Sequence, residues 1–376
     1  MTRRERLMAA LRGEPVDRTP VCFYEIDGEQ DMSDPDPFNI YSHPSWRPLI
    51  ELARDRSDRI LMGEVPFKNL PPDPLAGLTR TETTIDANGS RLSTTTIKAG
   101  QRTLTQRLRQ DPDVNTVWTL EHFLKDVEDA QAWLDLPESP LGGEPDPAAF
   151  LAAESAMGDG GIAMINTGDP LCGAAPLFEM GQFTVVAMTE PELFRRILDR
   201  VSRVIQYQTE AIARAVPGRL WRICGPEYAS PPYLPPNLFC DYVVPYDQPM
   251  VGAIQKHGGF ARIHSHGRLQ DVLEHIAATG CVALDPIEPP PQGDVSLAYV
   301  RGKFGHQMTL FGNLEANDLE TLPPQEFEKK IRAAIREGTA GDGRGFVLMP
   351  SACPYGRVLS PIALANYRKM VEVADA

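Results

Sequence analysis

Short apolar runs alternate along most of the chain with amphipathic segments in which apolar residues recur every three or four positions. In the segment 324–338, for example, Phe327, Ile331 and Ile335 share one face of a predicted helix, which Gly338 ends. Eight apolar runs have the length and composition of buried strands: residues 20–25, 59–65, 161–166, 220–225, 260–264, 282–287, 307–312 and 346–350. Strands that alternate with helices favour a parallel sheet, and eight of them predict an α/β fold of the (β/α)₈ TIM-barrel type.

One region breaks this alternation. Residues 79–109 are rich in Thr, Ser and charged residues with a two-residue period, and the dipeptide Asn88-Gly89 lies among them. An Asn-Gly pair favours the two-residue type I′ turn that joins antiparallel strands. We therefore expect a β-hairpin insertion at 79–109 that flanks the barrel mouth, within a single domain that spans residues 1–376.

The charge balance and the cysteines bear on partners and compartment. The formal net charge is −14, which argues against nucleic acid or an anionic membrane as the main partner. The six cysteines lack the paired spacing of a disulfide framework, which favours a reducing compartment. The N-terminal segment has no signal-peptide apolar stretch, and no apolar run approaches the roughly 20 residues of a membrane span. We expect a soluble, cytoplasmic protein that acts on a small molecule.

Side chains that can bind a metal ion or take part in catalysis lie at the ends of three of the predicted strands. His264 and His266 end the run 260–264, Glu288 follows the next run, and Cys353 follows the last one. Residues i and i+2 point to the same side of a strand, and the carboxyl ends of barrel strands carry active sites. Imidazole, carboxylate and thiolate groups are the ligands that zinc takes in proteins. The pattern predicts a zinc site of these four residues, against the simpler interpretation that they are ordinary strand-end, loop or packing residues.

Further polar residues follow other predicted strands. Glu227 is a possible fourth zinc ligand in place of Glu288, or a general base. Asp169 would hydrogen-bond a substrate, and Glu64 would do acid–base work. Tyr24 and Glu25 end the first predicted strand, so we expect them to line the same mouth and to select the substrate.

Three segments resemble the uroporphyrinogen decarboxylase superfamily. They are RERLMAALRGEPVDRTPV at 4–21, LFGNLE at 310–315 and GFVLMPSACP at 345–354, the last followed by Ser360-Pro361 and Asn366. The resemblance implies a (β/α)₈ barrel. The superfamily contains the decarboxylases of haem synthesis, and zinc-dependent methyltransferases that move methyl groups between corrinoid proteins and thiols or tetrahydrofolate.

The two branches differ at their sites. The decarboxylases carry an Arg-Gln-Ala-Gly-Arg motif after the first strand, which grips the substrate carboxylates. Here that place reads YEIDGE at 24–29, and its three carboxylates would repel a polyanionic porphyrinogen.

The methyltransferases carry His-x-Cys and a late cysteine, and the similar barrel of cobalamin-independent methionine synthase adds a glutamate one strand later. In this chain His264-Ser265-His266 replaces the first motif cysteine with histidine, while Glu288 and Cys353 suit the other two places. The exchange would leave a bound zinc ion more Lewis acidic than two thiolates would.

The resemblance therefore favours a zinc-dependent methyltransferase-like enzyme, which moves a methyl group between a corrinoid or other donor and a thiol- or folate-type acceptor. A corrinoid would be carried by a partner protein, and barrels of this superfamily often form homodimers. Two alternatives stay open. One is a metal-free lyase of the uroporphyrinogen decarboxylase type with Glu64 as the acid–base group, and the other is a non-catalytic barrel that binds a corrinoid protein.

Overall fold

A computed structural model describes residues 1–376 and contains two kinds of sheet. The strands are β1 (Arg59–Gly63), β2 (Phe67–Lys68), β3 (Thr79–Ile85), β4 (Arg91–Ala99), β5 (Arg102–Gln110), β6 (Val117–Glu121), β7 (Glu144–Pro145), β8 (Gly161–Gly168), β9 (Leu220–Cys224), β10 (Phe260–Ser265), β11 (Ala283–Pro286), β12 (Thr309–Leu314) and β13 (Phe346–Pro350).

Helices connect and cover these strands. The α-helices are α1 (Arg3–Arg12), α2 (Arg47–Arg56), α3 (Val127–Leu134), α4 (Ala148–Met157), α5 (Pro170–Ala174), α6 (Met180–Thr189), α7 (Pro191–Ala215), α8 (Pro236–Tyr242), α9 (Val244–Lys256), α10 (Leu273–Ala278), α11 (Leu297–Phe304), α12 (Ala316–Thr321), α13 (Pro324–Gly338) and α14 (Pro361–Ala374). Short 3₁₀ helices cover Ile40–Ser42, Pro44–Trp46, Gly158–Gly160, Ala175–Leu177 and Pro226–Ala229. No helix is both long enough and apolar enough to span a membrane.

Seven parallel strands form one curled sheet in the order β1-β8-β9-β10-β11-β12-β13. The first predicted strand, 20–25, is reduced to an isolated parallel bridge between Val21 and Leu348 of β13. On its other side the Asp58 amide, just before β1, donates to the Val21 carbonyl at 2.7 Å. This segment therefore occupies the eighth position between β13 and β1. Tyr24 has a φ of 58°, which ends the extended conformation. The fold is TIM-barrel-like, as the sequence predicts.

The burial of the strands explains why they appear in the sequence as continuous apolar runs. All five residues of β13 and the first five of β8 are buried, as expected of parallel strands covered on both faces. Helix α1 begins with a capping box of Thr2 and Glu5. Its Leu7 and Leu11 pack with residues of the strands in one buried cluster. Since helix α1 covers one end of the barrel, the carboxyl ends of the strands form the open mouth.

The insertion is larger than the predicted hairpin. Strands β3 to β6 form a four-stranded antiparallel sheet that extends to Glu121 rather than ending at residue 109. The fourth strand is short and mostly exposed, and its register with β5 shifts at Arg107, so it lacks a clear periodic signal. The type I′ turn is also wrong, because only Gly89 of the Asn88-Gly89 pair has a positive φ. The Asp86 side chain instead accepts from the amides of Asn88 and Ser90, which sets a wider loop.

Candidate active site at the barrel mouth

His264 lies at the carboxyl end of β10, in register with Asp285 of the neighbouring β11. Its Nδ1 is 2.8 Å from Asp285 Oδ2, and Arg262 Nε is 2.9 Å from Oδ1 of the same carboxylate. All three side chains are at most 4% exposed. Although burial acts to raise it, the charges of Arg262 and His264 lower the pKa of Asp285 to about 2. Asp285 is therefore a buried anion that fixes both neighbours.

His266, which directly follows β10, forms a second imidazole–carboxylate pair. Its Nδ1 is 2.8 Å from Glu288 Oε1, and the Gly267 amide donates to Oε2 at 2.7 Å. Burial is the largest single influence and disfavours both charges, but the hydrogen bond and the charge attraction between the two side chains together outweigh it. That bond raises the pKa of His266 and lowers the pKa of Glu288. The pair therefore favours an imidazolium next to a carboxylate.

The two imidazoles face each other edge to face, with ring centroids 4.7 Å apart and planes at 85°. Each ring uses Nδ1 for its carboxylate, which leaves Nε2 as the nitrogen that can meet a substrate or a metal ion. A carboxylate behind the other ring nitrogen is the usual arrangement of metal-bound histidine, because it fixes the orientation of the ring and raises its basicity.

The four predicted zinc ligands do not form one set of donors. No group of three or more His, Cys, Asp or Glu side chains is arranged to hold a metal ion. Both oxygens of Glu288 are used by His266 and Gly267. Cys353 Sγ instead lies 3.8 Å from Glu25 Oε2, and burial and the charge of Glu25 raise the pKa of this thiol to about 12. The two imidazoles therefore lie next to each other, but the four predicted ligands are not gathered around one point.

A cavity of about 410 Å³ opens beside His266. Polar residues dominate its lining, which includes Glu227, Tyr233, His266, Arg268 and Glu288. The cavity has the size of small-molecule sites in proteins. A larger cavity of about 490 Å³ lies elsewhere, between the insertion sheet and helix α3. His266 and Glu288 line the mouth cavity, whereas the buried His264 does not.

Tyr24 and Glu25 also lie at the mouth. The Tyr24 ring centroid is 6.1 Å from that of His264. Arg222 of β9 donates from Nη1 to the Tyr24 hydroxyl and to Glu25 Oε1, each at 3.1 Å. Glu25 is therefore paired with a cation, and it does not present the free negative charge that the sequence suggests.

Two of the other predicted residues differ in their surroundings. Glu227 lines the mouth cavity, where its Oε2 accepts from the Gly225 amide at 2.9 Å. It can meet a substrate there. Glu64 follows β1 and is exposed, and it does not line the mouth cavity.

Asp169 is completely buried and caps helix α5, since its Oδ1 accepts from the Cys172 amide at 2.6 Å. Its Oδ2 has no hydrogen-bond partner, and neither has either oxygen of the buried Asp247. Burial, and after it the charge of Asp247, raises the pKa of Asp169 well above the usual range. Asp169 is therefore a buried helix cap, and it does not line the mouth cavity.

Sequence reasoning missed three charged residues inside the barrel strands: Arg222, Arg262 and Asp285. The available signal was a charge at the centre of an otherwise apolar, buried strand. Such a charge must be paired and must point into the barrel, because the outer face of each strand is covered by helices. Arg222 and Arg262 also occupy the same register position on neighbouring strands.

A family model described as "Uroporphyrinogen decarboxylase (URO-D)" matches residues 166–376, more than half of the chain. The chain belongs to this family. Among solved structures it is similar to a methyltransferase from Methanosarcina mazei, at 19% identity and a TM-score of 0.59, over 100% of this chain and 98% of the other. A D-psicose 3-epimerase solved in the presence of D-fructose matches at 12% identity and a TM-score of 0.31, over 60% of this chain and 80% of the other. No curated protein matches the sequence. The first structural likeness supports the barrel fold.

Proposed function

We propose that the chain is a methyltransferase-type enzyme of the uroporphyrinogen decarboxylase superfamily. It would move a methyl group between a corrinoid or other donor and a thiol- or folate-type acceptor bound in the mouth cavity. The observation that carries the proposal is the pair of imidazoles at the end of β10, each backed by a carboxylate on Nδ1. Family membership and the fold shared with a methyltransferase support it.

Zinc is part of the proposal, held by Nε2 of His264 and of His266. When bound, the metal would supply a Lewis acid that lowers the pKa of a thiol acceptor. Asp285 and Glu288 would each fix the orientation of one ring through its Nδ1. In this proposal Glu288 supports His266 and is not itself a zinc ligand, unlike in the prediction from the sequence. Cys353 is left out of the ligand set, because its Sγ lies 3.8 Å from Glu25 Oε2 and is not grouped with the two imidazoles.

The residues of the chain itself can bind, orient and move a proton. Asp285 holds the Nδ1 proton of His264 and so keeps Nε2 directed away from the sheet. Glu288 would hold the Nδ1 proton of His266 in the same way, so that Nε2 gives up its own proton when it binds the metal. Glu227, which lines the mouth cavity, is then the acid–base candidate.

The test combines methylcobalamin as donor with homocysteine, glutathione or tetrahydrofolate as acceptor, and follows loss of the methyl–cobalt absorbance. His266→Gln should slow transfer by about 100-fold or more, because it removes one of the two nitrogens that would hold the zinc ion. The matched control His306→Gln removes an exposed histidine and should leave the rate unchanged.

Equal rates in His266→Gln and the parent protein would contradict the proposal. So would carbon dioxide release from uroporphyrinogen without methyl transfer to any acceptor, which would instead favour the lyase alternative. A complex with a corrinoid protein in the absence of any turnover would favour the non-catalytic barrel.

A further inference from the structure

Two arginines lie side by side inside the barrel. Arg222 of β9 and Arg262 of β10 are paired in register, and their side chains are 12% and 2% exposed. Each has a carboxylate partner, so the charges inside the barrel balance: Arg262 pairs with Asp285 and Arg222 with Glu25.

The two carboxylates are held very differently. Asp285 lies on β11, is completely buried, and is shared with His264. Glu25 lies on the segment after the first barrel position, and its side chain is 33% exposed. Apart from Arg222, its only side-chain neighbour within hydrogen-bonding range is Cys353, at 3.8 Å. Glu25 can therefore leave its partner, whereas Asp285 is fixed.

Arg222 does not use the full donor capacity of its guanidinium. Its hydrogen bonds to Tyr24 and Glu25 both come from Nη1, while Nε is buried and has no acceptor. An arginine binds a carboxylate most strongly through two parallel N–H groups, which the contact with Glu25 does not provide. A buried donor without an acceptor destabilises the folded state. The guanidinium is thus able to accept a better placed anion.

The position of Arg222 connects it to the reactive histidines. Its guanidinium carbon is 5.5 Å from the centre of the Tyr24 ring, and that ring centre is 6.1 Å from His264. Tyr24 is thus a shared neighbour of Arg222 and His264, and Arg222 lines a space of only about 10 Å³ together with Tyr24 and Glu25. A substrate carboxylate could therefore reach the guanidinium only in the place that the Glu25 carboxylate now occupies. Tyr24 has a φ of 58°, a conformation that non-glycine residues rarely adopt.

We propose that Arg222 binds a carboxylate group of the substrate, and that Glu25 occupies the guanidinium until the substrate displaces it. The substrate class is therefore a small carboxylic acid, with its reacting group at the histidines and its carboxylate at Arg222. The inference rests on the proposed function for the identity of the reacting group, but the carboxylate site can be tested alone.

The test measures binding of acetate by ligand-observed NMR at constant ionic strength, with inorganic phosphate as a second probe. Glu25→Gln removes the competing charge and keeps the side-chain volume, so acetate should bind about tenfold more tightly than to the parent protein. The matched control Glu51→Gln changes an exposed glutamate and should leave acetate affinity unchanged.

Removing the guanidinium should abolish acetate binding. Arg222→Gln leaves Glu25 unpaired, so the double variant Arg222→Gln/Glu25→Gln, which is neutral at both positions, keeps the test valid if the single variant unfolds. Arg214→Gln removes an exposed arginine from the last turn of helix α7, away from the mouth, and should bind acetate as the parent protein does.

Three results would overturn the inference: equal acetate affinity in Glu25→Gln and the parent protein, binding that persists without Arg222, or phosphate binding in place of acetate. The readout separates the two proposals. Methyl transfer with no acetate site would refute this inference alone, and an acetate site with no methyl transfer would refute the proposed function alone.

Discussion

The buried carboxylate behind His264 gives the sharpest prediction on stability. Asp285→Asn keeps the shape of the side chain and removes its charge, which leaves Arg262 buried without an anion. The pKa of Asp285 is held at about 2, against an ordinary value of 3.8. That difference corresponds to about 2–3 kcal/mol of stability at neutral pH. Breaking one side of a buried ion pair costs about 3–5 kcal/mol. We expect a loss of about 3 kcal/mol in the free energy of unfolding.

Urea unfolding at pH 7, followed by tryptophan fluorescence, measures this loss. Because the folded pKa is depressed, the contribution of Asp285 is present above the ordinary pKa and disappears as the pH falls towards 2. The gap between variant and parent protein should therefore narrow below pH 4. Asp271→Asn, an exposed control, should change stability by less than about 0.5 kcal/mol. A loss under about 1 kcal/mol at pH 7 would refute the view that this carboxylate compensates a buried guanidinium.

Two further predictions concern the mouth. Glu288→Gln should lower the pKa of His266, followed by NMR of the imidazole protons, because burial then acts without the opposing carboxylate. In the parent protein the protonated His266 stabilises the fold below about pH 6.5, and this contribution to the free energy of unfolding is lost as the pH rises through the pKa of His266 in the folded state. An unchanged pKa of His266 in the variant would contradict the role given to Glu288. Gly225→Ala should destabilise the fold by more than about 2 kcal/mol in thermal or urea unfolding, because φ is 133° and a Cβ would lie 1.8 Å from Asp169 Oδ1. Gly252→Ala, in open space on helix α9, should instead be neutral or stabilising, and equal effects of the two changes would contradict the steric argument.

The barrel could be predicted because its strands are buried on both faces and therefore appear as continuous apolar runs between capped helices. Seven of the eight predicted strands are present, and the eighth is the bridge at Val21. The insertion was harder to predict, because β6 is short, exposed and out of regular register with β5. Its pairing depends on a neighbour in space and not on a pattern along the chain.

The position of the site followed from the sequence, since barrel strands end at one mouth. The roles within it did not. Whether Glu288 contacts a metal ion or supports His266 depends on the path of the loop that brings the two residues to 2.8 Å. Asp285 and Arg222 were missed because each lies within a run that was interpreted only as a strand. Their pairing could be expected only from the argument that a charged side chain on a buried strand needs a partner of opposite charge.

The most direct test of the paired imidazoles is the metal content of the untagged protein, measured by mass spectrometry after incubation with zinc and removal of the excess. The account predicts about one zinc ion per chain in the parent protein and in Cys353→Ser, and none in the double variant His264→Ala/His266→Ala. Zinc that is lost in Cys353→Ser but kept in the double histidine variant, or no zinc in the parent protein, would contradict it.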